Sequence, residues 1–433
     1  MRPIHLTLLA TAASACLLGA AQAQTATEAE LARRLDQLAV ELAAVKSQLA
    51  ALQQQRAAAP VPAAAPMAAV PVPAEAVPAR AQTSTASSTV LSGYAELNYN
   101  RPTRATQNTQ ADLRRFVLGI QHRLDERTQI VGELELEHAV ASSSDAGEVA
   151  LEQAYAERQL TPHWAARAGL FLIPAGLLNE NHEPTAYYGV ERNFVETAII
   201  PSTWREGGLQ LVGNFDNGLT VQGGLSTGFN LNKWDATSSE GAESPLRAIH
   251  QELALAKARD LSLFGALNWR GVPGLQLGAS VFSGGATHGL QPATSRITLW
   301  DLHARWTPGR WDLAALVAQG RISNTAAFNR ARVGNPTLVP SAFGGAYVQA
   351  AYRLWTQGDY VLSPFVRAER FNTAQRFADL GAGLTPEAAT SERVWTLGAN
   401  LQVAQGLVLK ADLQRFHLQR DSDRVNLGLG WSF

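Results

Sequence analysis

Between residues 173 and 206 the chain concentrates groups that can act on charged solutes. Glu180, His182, Glu183, Glu191, Arg192, Arg205 and Glu206 stand there among Tyr187, Tyr188 and Trp204. Paired charges interleaved with aromatics suit a loop that packs on a wall while presenting charge to a pore, where rings of charge select ions. A loop wholly in solvent has no need of the aromatics. A metal site on His182 with Glu180 and Glu183 is the competing chemistry, but such carboxylates are equally well satisfied by water or by Arg192 and Arg205. Upstream, Glu133, Glu135 and Glu137 alternate along one stretch. On a strand they form a column of like charge, which cation attraction or pairing with Arg115 and Arg123 explains without acid–base catalysis. No nucleophile elbow accompanies any serine, so neither enzymatic chemistry nor a cofactor is expected.

The elements that must position these groups are strands. At the end of the chain Val425, Leu427, Leu429, Trp431 and Phe433 alternate with Asn426, Gly428, Gly430 and Ser432. That period of two makes one apolar and one polar face. No helix follows to cover the apolar face, as befits a strand in a closed barrel with lipid outside and water within. The mean hydropathy of -0.09 excludes a polytopic helical membrane protein, and no apolar run reaches the ~18–20 residues a spanning helix needs. A net charge of -1 argues against nucleic acid as a partner.

The same alternation recurs near 91–100, 113–123, 128–138, 150–160, 163–172, 207–215, 218–229 and 260–270. It continues near 274–283, 296–306, 310–320, 344–354, 360–371, 392–403, 407–417 and 422–433. Tight turns such as Asp216-Asn217-Gly218 and Val272-Pro273-Gly274 alternate with longer polar connections. Counting residues 246–258 as a further strand would give an odd total and put the long 284–295 connection on the short-turn side. Residues 244–259 therefore read as part of an outer loop. The count predicts an all-β, sixteen-stranded antiparallel transmembrane barrel.

Facing follows from the same period. Phe116, Leu118, Ile120, Leu134, Leu136, Leu219, Val221 and Leu225 are expected to face lipid, with Trp300, Leu302, Trp306, Trp395, Leu397 and Leu401. Arg115, Arg123, Glu133, Glu135, Glu137, Arg167 and Arg270 are expected to face the lumen, with Asp301, His303, Arg305, Arg353, Arg367, Glu369, Lys410 and Asp412. A charge facing lipid at the midplane would cost roughly 2–4 kcal/mol. So charged an interior of sixteen strands is expected to be a water-filled channel and not a packed core.

Ahead of the barrel (residues 90–433) lie three segments. Residues 1–23 read as a signal peptide, with Arg2, an apolar run over 6–21 and the small-x-small site Ala21-Gln22-Ala23. A lipoprotein leader acylated at Cys16 is disfavoured because Ala13-Ser14-Ala15 lacks the usual Leu. Cys16 is the only cysteine, so the mature chain is expected to hold no disulfide. Residues 24–56 carry Leu31, Leu35, Leu38, Leu42, Val45, Leu49 and Leu52 at alternating spacings of four and three, the seam of an α-helical coiled coil. Glu41 at g and Lys46 at the following e can bridge parallel chains. Residues 57–89, rich in Ala and Pro, form a linker reaching ~90–100 Å at about 3.1 Å per residue.

GLFLIPAG at 169–176, NHEP at 181–184, YGVERN at 188–193 and IPSTWREG at 200–207 resemble the phosphate-selective porin O and P family. The resemblance covers residue 90 to the end of the chain. It implies a homotrimeric sixteen-stranded outer-membrane porin with its third outer loop folded inside and a periplasmic N-terminal region. Family members known for phosphate selectivity carry an arginine ladder and a lysine cluster. This chain has only Lys46, Lys233, Lys257 and Lys410, and its candidate lumen mixes Arg with Glu and Asp. The expected function is passive diffusion of small hydrophilic solutes or ions, anions among them, through a constriction built from the 173–206 loop. Phosphate selectivity is one alternative. A structural tether from outer-membrane lipid to peptidoglycan through the N-terminal region is the other.

Overall fold

The computed structural model describes residues 88–433 except Pro292, and six positions between 33 and 47. The chain divides into two units, Met1–Ala81 and Gln82–Phe433. In the first, Arg33, Gln37, Val40, Ala43, Lys46 and Ser47 are helical and exposed. The leucine seam, the signal segment and most of the linker lie outside the described residues.

The second unit is a closed antiparallel sheet. Its strands are β1 (Thr89–Pro102), β2 (Gln110–Arg123), β3 (Thr128–Glu137), β4 (Val149–Gln159), β5 (Trp164–Leu172), β6 (Arg205–Asn214), β7 (Leu219–Ser226) and β8 (Ser262–Val272). They continue as β9 (Leu275–Gly285), β10 (Arg296–Trp306), β11 (Trp311–Ile322), β12 (Ala342–Tyr352), β13 (Trp355–Gln357), β14 (Tyr360–Arg376), β15 (Glu392–Ala404), β16 (Leu407–Phe416) and β17 (Arg424–Ser432). Each pairs with its successor, except that β12 and β13 both pair with β14. The three-residue β13 thus extends the β12 stave and leaves a barrel of sixteen staves with one extra strand. All sixteen strands expected from alternation are present. Residues 244–259 form no strand and belong to the β7–β8 connection, as the parity of turns and loops required.

Closure is made by the last strand. Leu97 pairs with Leu429 and Ala95 with Trp431. The Phe433 N–H donates to the Gly93 carbonyl at 2.9 Å, and the Gly93 N–H donates to the Phe433 carbonyl at 3.0 Å. The Phe433 ring lies over Gly93, where an added Cβ would come within 2.7 Å of it. Glycine is needed there for close approach.

The pleat sorts the side chains as expected. Phe116, Leu118, Ile120, Leu134, Leu225, Trp300, Leu302, Trp306, Trp395 and Leu397 are exposed on the outside. Leu136, Leu219, Val221 and Leu401 are half-buried. Arg115, Glu135, Asp301, His303, Arg367, Glu369, Lys410 and Asp412 are buried inside.

The interior differs from a simple water-filled tube. On one side it holds a hydrophobic core in which Ile173, Ile199, Ile200 and Trp204 of the β5–β6 loop meet Phe229, Leu231 and Trp234 of the β7–β8 loop. Phe264, Phe282, Ile297, Leu299 and Phe343 of the β8–β12 wall complete it. Trp204 stacks on Phe229 with centroids 5.1 Å apart and meets Phe282 edge-on at 4.6 Å. Many inward positions of this wall are aromatic or branched, and two loops fold in and bury them.

Candidate pore constriction

Residues 173–204 leave the top of β5 and return to β6 inside the barrel. A buried loop has as many backbone N–H and C=O groups as a strand but no ladder to satisfy them. The charged wall supplies the partners. The Gly176 N–H donates to Asp301 (3.1 Å), the Val190 N–H to Asp412 (2.7 Å) and the Phe194 N–H to Glu369 (2.6 Å). From the opposite sense, Lys410 Nζ donates to the carbonyls of Tyr187 and Gly189 at 2.8 and 2.9 Å, and it also lies 3.7 Å from the Tyr187 ring centroid. Tyr187 donates to Glu96 and Tyr188 to Asp312.

Within the loop two residues organise the backbone. Asn179 closes the neck: its amide donates to the carbonyls of Ile173 and Trp204, and its oxygen accepts the Trp204 N–H. Glu196, in the helical turn Val195–Ile199, accepts the N–H groups of Leu177 and Leu178 at 2.5 and 2.7 Å. It also accepts Asn193 Nδ2 and the Tyr347 hydroxyl of β12. Burial raises its carboxyl pKa above the usual range, against the lowering effect of these donors. Burial likewise raises the Tyr187 and Tyr188 hydroxyls, so both remain donors.

The residues expected at the constriction separate into three groups. Glu180 and Glu183 are exposed on the loop, with Glu180 accepting from Gln222 of β7 at 3.1 Å. Partial burial raises the Glu183 carboxyl, against the lowering pull of His182 and of a Thr185 hydrogen bond. His182, Glu191 and Arg192 are anchors. His182 is buried, with Nδ1 2.9 Å from the Asn179 carbonyl and Nε2 3.6 Å from Glu152. Glu191 accepts from Asn100 at 2.9 Å and meets Arg114 at 3.4 Å. Arg192 donates to Ser202 Oγ and to the His182 carbonyl. Arg205 and Glu206 are buried at the base of the loop. Arg205 pairs with Glu252 of the β7–β8 loop at 3.1 Å, and Glu206 accepts from Thr227 and Trp204. Although burial would raise the Glu252 carboxyl, the His250 hydrogen bond and the nearby positive charges hold it below the usual range.

Among the wall residues, the arginines deepest in the lumen are matched by carboxylates. Arg115 stands 3.0 Å from Glu96 and 3.7 Å from Glu135; Arg167 stands 2.6 Å from Glu157, Arg305 2.7 Å from Asp312 and Arg367 2.7 Å from Glu369. Arg123, Arg270 and Arg353 lie at the short-turn ends of their staves, Arg270 and Arg353 exposed. Glu133 is half-buried and accepts from Gln153 at 2.7 Å.

Sequence reasoning missed Glu152. Glu133 pairs with Gln153 but Leu134 with Leu151, so Glu152 is the extra residue of a β-bulge. The bulge turns its side chain inward among Glu133, Glu135 and His182, where it is fully buried. Strict alternation has no term for an inserted residue. The docking role of Asp301, Glu369, Lys410 and Asp412 was also missed. Their signal was available: a long loop read as folded inside must find partners on inward charges.

No family model matches the chain, so the likeness to the phosphate-selective family rests on the motif residues alone. A curated protein of Aquifex aeolicus (strain VF5), described as uncharacterized, is 26% identical over 357 residues, 79% of each chain. Among solved structures, OmpF of Salmonella typhi, in complex with daunomycin, superposes with a TM-score of 0.56 at 15% identity, over 80% of this chain and 97% of that one. The outer-membrane channel DcaP of Acinetobacter baumannii gives 0.52 at 13%, over 81% and 99%. An anion-selective porin from Comamonas acidovorans gives 0.51 at 12%, over 80% and 100%. The chain has the fold of outer-membrane porins.

Proposed function

We propose that the protein is a porin of the bacterial outer membrane through which small hydrophilic solutes and ions diffuse passively, with the 173–204 loop as its constriction. The observation that carries this is the internal loop held by wall charges: a barrel closed on lipid outside, narrowed inside by a fixed segment that presents Glu180 and Glu183 to water. A barrel built only to anchor a tether has no use for such a loop. A general porin fits better than a phosphate-selective one, because Arg115, Arg167, Arg305 and Arg367 each face a carboxylate within 3.0 Å. Phosphate would have to displace those partners.

The reading extends to the whole chain. Residues 1–23 are removed on export, 24–56 form a periplasmic coiled coil, 57–89 link it to the barrel, and the assembly is a homotrimer. The test is conductance of the refolded full-length protein in planar bilayers. Discrete channels that phosphate does not block at low concentration are expected. A folded barrel that never conducts would overturn the porin reading in favour of the tether.

A further inference from the structure

We infer that the constriction is cation-preferring, and that Glu133 of the wall and Glu183 of the loop set this preference. The inference rests on the porin reading and adds the class of ion. Its first support is an asymmetry in how the interior charges are matched. The arginines Arg115, Arg167, Arg305 and Arg367 each have a carboxylate within 3.0 Å, and Lys410 is held by two backbone carbonyls. The arginine fields are largely cancelled at short range, whereas Lys410 and Arg192, with neutral partners, keep their charge but are buried and do not face water. Glu133 instead accepts from the neutral Gln153, and Glu183 is exposed at the loop tip with a neutral hydrogen-bond partner in Thr185.

The second support is independent. Behind Glu133 the β-bulge buries Glu152 completely, and neither of its carboxylate oxygens has a hydrogen-bond partner; one oxygen of Glu135 is in the same condition. His182 approaches Glu152 only to 3.6 Å. Around this point stand the carboxyls of Glu96, Glu133, Glu135, Glu152 and Glu183, against the guanidinium groups of Arg115 and Arg192 and the titratable His182. Even with one proton shared between the adjoining Glu135 and Glu152 carboxyls, the acids outnumber the fixed cations, and the geometry points to a mobile positive ion. Among the described residues no three such groups converge on a metal-holding geometry. The cluster therefore acts on a hydrated cation passing the loop and does not retain one. Fixed charge lining a narrow low-dielectric passage raises the local concentration of counter-ions in this way.

The experiment measures the zero-current potential of the full-length protein in a planar bilayer across a tenfold KCl gradient. The wild type is expected to favour K⁺ over Cl⁻. In the Glu133→Gln/Glu183→Gln double variant that permeability ratio should fall severalfold toward one. A control needs no variant: screening shortens from about 10 Å at 0.1 M salt to about 3 Å at 1 M, so the wild-type preference should shrink between those conditions. An anion-selective wild type, or a cation preference untouched by both the double variant and salt, overturns the inference while leaving the porin reading intact. Absence of any conductance overturns both.

Discussion

Replacing Glu196 by alanine should release the first half of the constriction loop from the wall while leaving the barrel closed. The carboxylate is 2% exposed and accepts four hydrogen bonds, from the backbone of Leu177 and Leu178, from Asn193 and from Tyr347. Its removal strands four donors. Each buried donor left without a partner costs about 1–3 kcal/mol, but the vacated space admits water, so a net loss of roughly 4 kcal/mol is the reasonable figure. Lys410, Asp412 and Glu369 still hold residues 187–194, so the loss falls on the 175–180 stretch. The assay is amide hydrogen exchange of the refolded protein in detergent. A local loss of ~4 kcal/mol corresponds to exchange about a thousandfold faster at Leu177 and Leu178. The wild type adds a sign test. Because burial raises the Glu196 carboxyl, the docked loop binds more protons than the released loop between the ordinary carboxyl pKa and the raised one. Docking is therefore strongest below that window and weakens as pH rises through it, a slope that Glu196→Gln abolishes. Exchange at Leu177 and Leu178 within threefold of wild type in Glu196→Ala would refute the assignment of Glu196 as the organising residue.

Three further outcomes follow from the geometry. Lys410→Met should leave the Tyr187 and Gly189 carbonyls unsatisfied at about 1–3 kcal/mol each, loosening the loop tip and raising open-channel current noise; a quiet channel with wild-type conductance contradicts this. Since partial burial raises the Glu183 carboxyl, the cation preference should decline as pH is lowered into the weakly acidic range, before ordinary carboxylates titrate. Reversal potentials between pH 7 and pH 4 read this directly, and a flat profile counts against Glu183. At the closing seam Gly93→Val would bring a Cβ to 2.5 Å from the Val117 carbonyl and 2.7 Å from the Phe433 ring. Overpacking of that kind costs about 1–3 kcal/mol, seen as a lower temperature for loss of the folded band on heated gels.

The barrel was legible because its signal is repeated sixteen times and each strand must alternate to satisfy both lipid and interior. The outward placement of Phe116, Leu118 and Ile120 and the inward placement of Arg115 follow from period two alone. Parity of short and long connections then settled the 244–259 segment, which no local propensity would have done. Three features lay beyond that logic. The bulge at Glu152 inserts a residue without changing composition. The core around Trp204 and Phe282 depends on which inward apolar residues meet an incoming loop. The matching of Arg367 by Glu369 and of Arg305 by Asp312 is a contact between groups that composition counts only singly.

The inward charges have two physical duties, and the second limits the first. A charge in the lumen is first a means of avoiding lipid, and alternation places it there whatever its later use. Once the 173–204 loop enters the barrel, however, its N–H and C=O groups must replace the water they lose. Asp301, Glu369 and Asp412 can accept but not donate, whereas Lys410 can donate but not accept. Wall acids therefore take the N–H groups of Gly176, Phe194 and Val190, and the wall lysine takes carbonyls. Charges engaged in this way hold the loop and are buried from the water of the passage. Selectivity then falls to those that docking leaves facing water, which on the cation-preferring reading are Glu133 and Glu183. A barrel of this design should thus tolerate a change of sign at the loop tip far better than at Asp412 or Glu369. Glu183→Lys would alter the current it carries, and Asp412→Lys would expel the loop.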